Sequence, residues 1–271
     1  MHWRVCLWIV GLGGAWLGRE GCAGAAEVFR VGTYNMENYL LEAVGTRVVK
    51  PPEARAKVRE SLRALNADVV ALQEVGGTNA LLELRRALQA EGLDYPHWEL
   101  VTGWDTNIQV AVLSKFPIVA RRPHTNDSFL LLGRRFRVSR GFLEVDIRIN
   151  PRYAFTLFTT HLKSRRVVPE ADEAELREQE ALLLRQKIDA RLAADPDANI
   201  IVLGDFNDVK DSRSTRAVFG RGRNQLFDTR PAERNGDDQP NPNPRFDPRN
   251  ITWTHYYGKE DTYSRIDYIL L

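Results

Sequence analysis

The chain of 271 residues contains only two cysteines, Cys6 and Cys22, and both lie within its first 25 residues. A mature protein without this segment would have no disulfide, even in an oxidising compartment. After it, no apolar run approaches the ~20 residues that a transmembrane helix requires, so we expect no membrane span in the mature chain. The net charge of +2 is too small to indicate a nucleic-acid partner by itself.

The first 25 residues have the features of a secretory signal peptide. Arg4 supplies a positive charge, residues 5–17 are apolar and rich in glycine, and residues 23–25 (Ala-Gly-Ala) fit a small-residue cleavage site. We therefore expect export to the periplasm or the exterior and a mature chain of residues 26–271. An uncleaved anchor and a lipoprotein attached through Cys22 are the alternatives.

Apolar runs and helical patterns alternate along residues 26–271, and neither an internal repeat nor a clear linker divides them. Val58, Leu62 and Leu65, for example, follow the spacing of one helix face. We predict helices over residues 53–65, 79–90 and 170–194. We predict strands over residues 28–34, 68–74, 108–113, 153–160, 200–203, 251–257 and 265–271, a further short strand after a turn at 116–118, and one long or two short strands across 137–149. Residues 230–250, rich in proline, asparagine and aspartate, are predicted to form an exposed excursion.

About ten strands are many for one sheet, and fully apolar strand patterns occur beside alternating ones. The sequence therefore predicts an α/β fold of one domain, in which two packed mixed β-sheets are flanked by helices as a four-layer sandwich.

The segment around Asp205 carries the clearest chemical signal. Four apolar residues, 200–203, run directly into Gly204-Asp205-Phe206-Asn207, which is typical of a buried strand with polar groups at its carboxyl end. Asp205 and Asn207 are two residues apart and would point the same way in an extended chain. A carboxylate beside a neutral amide suits the positioning and deprotonation of a water near a metal-bound phosphate. The alternative is an ordinary turn, because Gly, Asp and Asn favour turns.

Four further predicted strands carry polar residues of the same kind. Asn35, Glu74 and His161 follow or end three of them, and Asp267 lies on the last. A hard cation such as Mg²⁺ is bound by one or two carboxylates together with phosphate and water. Taken singly, Asn35 could only make a turn, Glu74 could be a surface carboxylate, and His161 could be a core histidine.

Five short motifs, in this order, resemble the endonuclease/exonuclease/phosphatase superfamily with its deoxyribonuclease-I-like fold. They are TYNMEN, LQEV, TTHLKS, GDFND and SRIDYILL, and they span essentially all of residues 28–271. Each motif alone is weak, but five in order with fitting spacing are specific. The resemblance implies a phosphoesterase that depends on Mg²⁺, with Mn²⁺ as a substitute.

The resemblance also implies roles for individual residues. Glu74 would hold the metal, and Asn35 would help to place the metal or the phosphate. Asp205 would orient and deprotonate the attacking water, Asn207 would fix the position of that water, and His161 would donate to the phosphate.

The chain departs from the family pattern at its end. The resemblance implies that Asp267 buttresses a further histidine in a Ser-Asp-His segment, followed by a last strand, but the sequence stops at Leu271. His255 precedes Asp267 and so stands in the wrong order. We therefore expect a C-terminally incomplete domain whose last strand is missing and whose sheet has an unpaired edge.

Basic residues near these motifs are candidates for substrate binding. Lys163 and Arg165 follow His161 closely and could contact phosphate, although a solvated loop is the alternative. A second basic run, which could track a polyanion or be a solvated face, consists of Arg134, Arg135, Arg137 and Arg140. Asp208 is predicted to be a helix cap or a surface residue.

The sequence therefore predicts an exported, monomeric, Mg²⁺-dependent phosphodiesterase, first of all a nuclease that cleaves nucleic acid as an endonuclease or exonuclease. One alternative keeps the chemistry but acts on a lipid headgroup such as sphingomyelin, or on an inositol or sugar phosphate. Another is a non-catalytic phosphate-binding homologue that lacks the terminal segment.

Overall fold

The computed structural model describes residues 28–229 and 253–271. The predicted signal peptide, the whole of the predicted excursion at 230–250, and the start of the strand predicted at 251–257 lie outside the described residues.

The described residues form two large sheets, two hairpins, four α-helices and one short 3-10 helix, Gly222–Asn224. The strands are β1 (Val31–Tyr39), β2 (Val69–Val75), β3 (His97–Val101), β4 (Gln109–Ser114), β5 (Ile118–His124), β6 (Ser128–Leu131), β7 (Arg134–Arg137), β8 (Phe142–Asn150), β9 (Tyr153–His161), β10 (Ile200–Asp205), β11 (His255–Tyr257), β12 (Thr262–Ser264) and β13 (Asp267–Leu270). The helices are α1 (Pro52–Leu65), α2 (Thr78–Ala90), α3 (Glu173–Ala194) and α4 (Arg213–Phe219).

The two large sheets are both mixed. The first has the order β1-β2-β4-β3, in which only β1 and β2 are parallel, and the second has the order β13-β10-β9-β8-β5, in which only β9 and β10 are parallel. The short pairs β6–β7 and β11–β12 are separate antiparallel hairpins.

Apolar side chains fill the spaces between four layers. Val69 and Val112 of the first sheet pack in one cluster with Val145 and Leu203 of the second. A second cluster joins the first sheet to α1 and α2, and a third joins the second sheet to α3 and α4. Alternate residues of a strand face opposite sides, so each sheet contributes to two clusters. The predicted four-layer sandwich is confirmed.

Some predicted elements needed correction. The strand β3 was not predicted, because its residues other than Val101 are only partly buried and so leave no apolar run. The stretch predicted as one or two strands at 137–149 divides into the end of the β6–β7 hairpin and β8. Leu132 and Gly133 turn this hairpin with positive φ angles of 50° and 75°, although Leu-Gly is not a common sequence for such a turn.

The expected unpaired edge is not found at β13. On its outer side, the backbone N–H of Phe227 donates to the carbonyl of Leu271 (2.7 Å), and the N–H of Leu271 donates back to Phe227 (2.9 Å). In the first sheet β1 is the terminal strand, and a cavity of about 460 Å³ runs along it from Thr33 to the polar end of β13 at Asp267.

Among the helices of the described residues, none has the length and hydrophobicity needed to cross a membrane. The longest, α3, has 22 residues and places Arg177, Glu180 and Arg185 on its buried side. These buried charges bear on the site described below.

Candidate active site

The predicted site residues meet at one end of the sandwich. The parallel pairs β1–β2 and β9–β10 run in register, so that Asn35 lies beside Gln73 and Asp205 lies opposite His161. Parallel strands bring their carboxyl ends to the same edge of a sheet, which is where polar groups collect. Residues of both sheets therefore contribute to the site.

Asn35 joins the two sheets at this end. Its side-chain nitrogen donates to Oδ2 of Asp205 at 2.9 Å and lies 3.4 Å from Oε1 of Glu74. One neutral amide thus sits between two carboxylates that belong to different sheets. This contact places Asn35, Glu74 and Asp205 within one small cluster.

An irregularity in β1 and β2 directs these side chains into the site. The register shifts between Asn35 and Tyr39 in β1 and between Leu72 and Val75 in β2. Glu37, Asn38 and Glu74 all have positive φ angles, of 50°, 57° and 63°. Such conformations cost non-glycine residues on the order of 1–3 kcal/mol each and concentrate at functional sites.

Hydrogen bonds to the carboxylate of Glu74 and the side-chain amide of Asn35 hold this strained backbone. The N–H of Asn38 donates to Oε2 of Glu74 at 2.8 Å, and the N–H of Glu37 donates to Oδ1 of Asn35 at 2.9 Å. The bulge therefore fixes the side chains of Asn35 and Glu74 from the backbone side.

Asp205 is a buried carboxyl group with two close donors. Besides Asn35, the backbone N–H of Asn207 donates to its Oδ1 at 2.7 Å. Burial raises the pKa of Asp205 to about 6, and the charge of Glu74 adds to this, while the hydrogen bonds from Asn35 and Asn207 act in the opposite direction. Such a group can exchange a proton close to neutral pH.

Asn207 adopts a positive φ of 54° and is anchored by its amide, which donates to the carbonyl of Leu162 at 2.9 Å. Its position therefore depends on the residue that follows His161.

His161 is only 3% exposed and lies beside both carboxylates. Its Nε2 is 3.7 Å from Oδ2 of Asp205 and 3.9 Å from Oε1 of Glu74. Within the described part of the chain, its Nδ1 is buried without a hydrogen-bond partner. Burial, helped by the charges of Arg140 and Arg47, lowers the pKa of His161 well below its usual range, so the ring is neutral.

Asp267 lies directly opposite Asp205 in the β10–β13 ladder. Burial raises its pKa well above the usual range, and the charge of Asp205 adds to this. Its backbone N–H and that of Ile266 both donate to the hydroxyl of Thr254. The structure therefore places Asp267 against Asp205 and Thr254.

The side chains at this end are suited to a hard divalent cation. Glu74 and Asp205 offer carboxylate oxygens, which Mg²⁺ prefers. The described residues contain no group of three or more acidic, histidine or cysteine side chains gathered as a ready ligand set. A cation at Glu74 would take most of its ligands from water and substrate, as Mg²⁺ commonly does.

The model of one protein family, described as the endonuclease/exonuclease/phosphatase family, matches residues 32–271. The chain belongs to the endonuclease/exonuclease/phosphatase family. Members of this family are metal-dependent hydrolases that act on phosphoester bonds. No curated protein sequence matches the chain significantly.

Solved structures share this fold at low sequence identity. The human Nocturnin catalytic domain with bound sulfate is 17% identical with a TM-score of 0.61, and the match covers 89% of this chain and 82% of that one. Sphingomyelinase C from Streptomyces griseocarneus is 19% identical with a TM-score of 0.57, over the same shares of the two chains. A double mutant of beta toxin from Staphylococcus aureus with bound magnesium ions is 17% identical with a TM-score of 0.51, over 70% and 69%.

The basic residues predicted from the motif after His161 fall in different places. Arg165 donates to the carbonyl of Asn207 at 3.1 Å and to the carboxylate of Asp208 at 3.3 Å, so it borders the site. The ammonium of Lys163 instead donates to the carbonyls of Ser164 and Arg166 in its own loop.

Two arginines beside the site were not recognised from the sequence. Arg140, predicted only as part of a surface run, is buried, and it donates to the carbonyl of Leu162 at 3.2 Å. Arg47 donates to the side chain of Asn38. Both lie near the carboxylate of Asp105, at 3.9 and 3.7 Å respectively. The available signal was the position of Arg140 just before a strand at the His161 end of the sheet.

The buried charges of α3 link the loops of this family member's site. Glu180 accepts from the backbone N–H of Ser139 (2.8 Å) and of Lys163 (2.7 Å). Arg177 donates to the carboxylate of Asp208 (2.9 Å) and to the carbonyl of Lys163 (3.1 Å). Asp208 is therefore neither a cap nor a surface residue but an anchor of the GDFND loop, while Ser212 caps α4.

Proposed function

We propose that this protein is an exported, Mg²⁺-dependent phosphodiesterase that cleaves nucleic acid and acts as a monomer. The observation that carries the proposal is the cluster of Asn35, Glu74, His161 and Asp205, in which a buried carboxyl with a pKa of about 6 lies beside a second carboxylate and a neutral histidine. Family membership supports phosphoester hydrolysis, and the amino-terminal 25 residues support export.

Glu74, with Asn35 beside it, would hold the metal. When bound, Mg²⁺ would neutralise charge on the phosphoryl oxygens and act as a Lewis acid. Because the backbone N–H of Asn38 already fixes one oxygen of Glu74, the other oxygen is oriented before a cation arrives.

Asp205 would accept a proton from the attacking water. Its two donors, Asn35 and the N–H of Asn207, fix the carboxylate plane, and its pKa of about 6 leaves it mostly ionised at neutral pH but still basic. Asn207 would hold the water in line with the phosphorus, and such positioning is a large part of the rate enhancement in phosphoryl transfer.

His161 would donate an N–H to a phosphoryl oxygen. Its low pKa keeps the ring neutral, so it contributes a directed dipole where negative charge develops. Removing one such preorganised donor typically lowers kcat by about 10²–10³-fold.

Nucleic acid is the proposed substrate because several arginines lie at the active-site end of the molecule. Arg165 borders the GDFND loop. The β6–β7 hairpin carries Arg134, Arg135 and Arg137 and leads into β8 at the end of the second sheet where His161 lies. A polyanion gains from several such contacts at once, whereas a single headgroup gains from few.

Turnover by the purified mature protein tests this proposal. We expect Mg²⁺-dependent cleavage of DNA or RNA, abolished by chelation, with much lower turnover of sphingomyelin and of inositol phosphates. Preferential cleavage of sphingomyelin would show that the same reaction acts on a lipid headgroup instead of nucleic acid. Phosphate binding without turnover of any of these substrates would make the chain a binding protein.

A further inference from the structure

The β6–β7 hairpin has one face that takes no part in the proposed chemical step. Directly opposed residues of an antiparallel pair share a face, and the pairs Leu130–Arg135 and Ser128–Arg137 therefore lie together. A hydrogen bond of 3.0 Å from Arg135 to the hydroxyl of Ser128 joins the two pairs. The other face carries Phe129, which is buried and stacks on Phe136 with ring centroids 5.9 Å apart.

An exposed tryptophan completes this outer face. The guanidinium of Arg137 lies 4.5 Å from the ring centroid of Trp104, and the Trp104 side chain is 64% exposed. Leu130 is exposed to the same extent. We call Trp104, Leu130, Arg135 and Arg137 the hairpin face.

The hairpin face is fixed to the active-site end of the molecule. Phe142, which begins β8, pairs with Thr160, the residue before His161. The backbone N–H of Trp104 donates to the carbonyl of Val138. The backbone N–H and the hydroxyl of Ser139 both donate to the carboxylate of Glu180 on α3. The Trp104 loop is also in close contact with this segment, because a Cβ on Gly103 would lie 2.3 Å from the backbone of Arg140.

The charge of the hairpin fits a polyanion. Residues 128–137 contain three arginines and no acidic residue, although the whole chain has a net charge of only +2. Arginine side chains on a rim contact backbone phosphates, an exposed tryptophan can stack on a base, and a leucine can pack against sugars or base steps. An anionic membrane would also attract arginines, but a base-stacking platform beside a phosphodiester site favours nucleic acid.

We propose that the hairpin face binds the nucleic-acid chain next to the phosphodiester being cleaved, with Arg135 and Arg137 on phosphates and Trp104 stacked on a base. This inference rests on the proposed function, and it makes the preferred substrate an extended strand. A small phosphodiester would reach the active site without touching the face.

Binding and turnover together test this inference on the mature protein. Fluorescence anisotropy with a single-stranded DNA oligonucleotide, in the presence of chelator, measures binding without cleavage. We expect Trp104→Ala to weaken binding about tenfold. We expect the double variant Arg135→Gln/Arg137→Gln to reduce the magnitude of the slope of log K against log salt by about 1.4, because each phosphate contact on a single strand contributes about 0.7. The matched control is Arg148→Gln/Arg152→Gln, which removes two exposed arginines near the opposite end of β8 and should leave binding within about twofold, since rim charges far from a ligand are screened.

Hydrolysis of bis(p-nitrophenyl) phosphate separates the two claims. Unchanged turnover of this small diester by the face variants, together with a raised KM for DNA, supports the inference and shows that the variants are folded. If the wild type cleaves both substrates and the face variants bind and cleave DNA like the control, the inference is wrong and the proposed function stands. If no substrate is cleaved, the proposed function fails, and the anisotropy measurement still decides whether the face binds nucleic acid. Loss of binding to anionic phospholipid vesicles in the face variants, with DNA binding intact, would overturn the inference in favour of a membrane.

Discussion

The side-chain nitrogen of Asn35 lies 2.9 Å from Oδ2 of Asp205, although 170 residues separate them in the chain. This hydrogen bond connects the terminal strand of one sheet to the second sheet at the point where Glu74 and His161 also meet. It stabilises the ionised form of Asp205 and so helps to set the pKa of the proposed base.

Replacement of Asn35 should therefore change the pH dependence of turnover as well as its rate. In Asn35→Ala, the lost donor raises the pKa of Asp205, because hydrogen bonds to the ionised form lower it. The acidic limb of the profile of kcat/KM against pH should move to higher pH, and kcat should fall about 10²-fold. An acidic limb at the wild-type position would show that Asn35 does not act on the base.

Metal binding should itself depend on pH. The pKa of Asp205 is raised to about 6 and that of Asp267 is raised as well, so below that range the metal-free protein holds protons that a cation must displace. Differential scanning fluorimetry with Mg²⁺ or with EDTA should show a larger increase in Tm at about pH 8 than at about pH 5. Equal increases in Tm at both pH values would show that protons on these carboxyl groups do not compete with the cation.

Gly204 is required by the close packing of β10 on β9. Its φ is +138°, and a Cβ there would lie 2.1 Å from the carbonyl oxygen of Thr160. Gly204→Ala should lower the free energy of unfolding by about 3 kcal/mol or more, as measured by urea denaturation. Gly45→Ala is the matched control, because Gly45 also has positive φ but open space around it, and it should cost only about 1 kcal/mol.

Glu180 is expected to hold the loops on either side of the site. Glu180→Leu leaves the N–H groups of Ser139 and Lys163 and the hydroxyl of Ser139 without their acceptor, which should destabilise the fold by about 3 kcal/mol. Glu178→Leu, a partly exposed position on the same helix, should change urea stability by less than about 1 kcal/mol. Equal effects of the two substitutions would contradict the anchoring role.

Local sequence signals predicted the parts of the fold that are continuous in the chain. Two examples are the apolar run before Asp205 and the helical spacing of Val58, Leu62 and Leu65. Both patterns indicate burial, and the structure has the predicted strand and helix there. The polar residues at strand ends were also placed together, because parallel strands share an edge.

The remaining features depend on contacts that no local pattern records. Burial of Arg140 follows from the docking of the Gly103 loop against it, and the anchoring role of Glu180 follows from two loops that are distant in sequence. The positive φ of Glu74 is likewise imposed by the paired irregularity in β1 and β2, since glutamate has no preference for that conformation.

The most direct test of Asp205 as the base compares Asp205→Asn with Asp211→Asn in Mg²⁺-dependent cleavage of DNA. Asp211 is an exposed carboxylate six positions along the chain and serves as the matched control. We predict that Asp205→Asn lowers kcat/KM by at least about 10³-fold while circular dichroism remains that of the wild type, and that Asp211→Asn keeps wild-type activity. Wild-type cleavage by a folded Asp205→Asn protein would contradict the assignment of Asp205 as the base and, with it, the proposed mechanism.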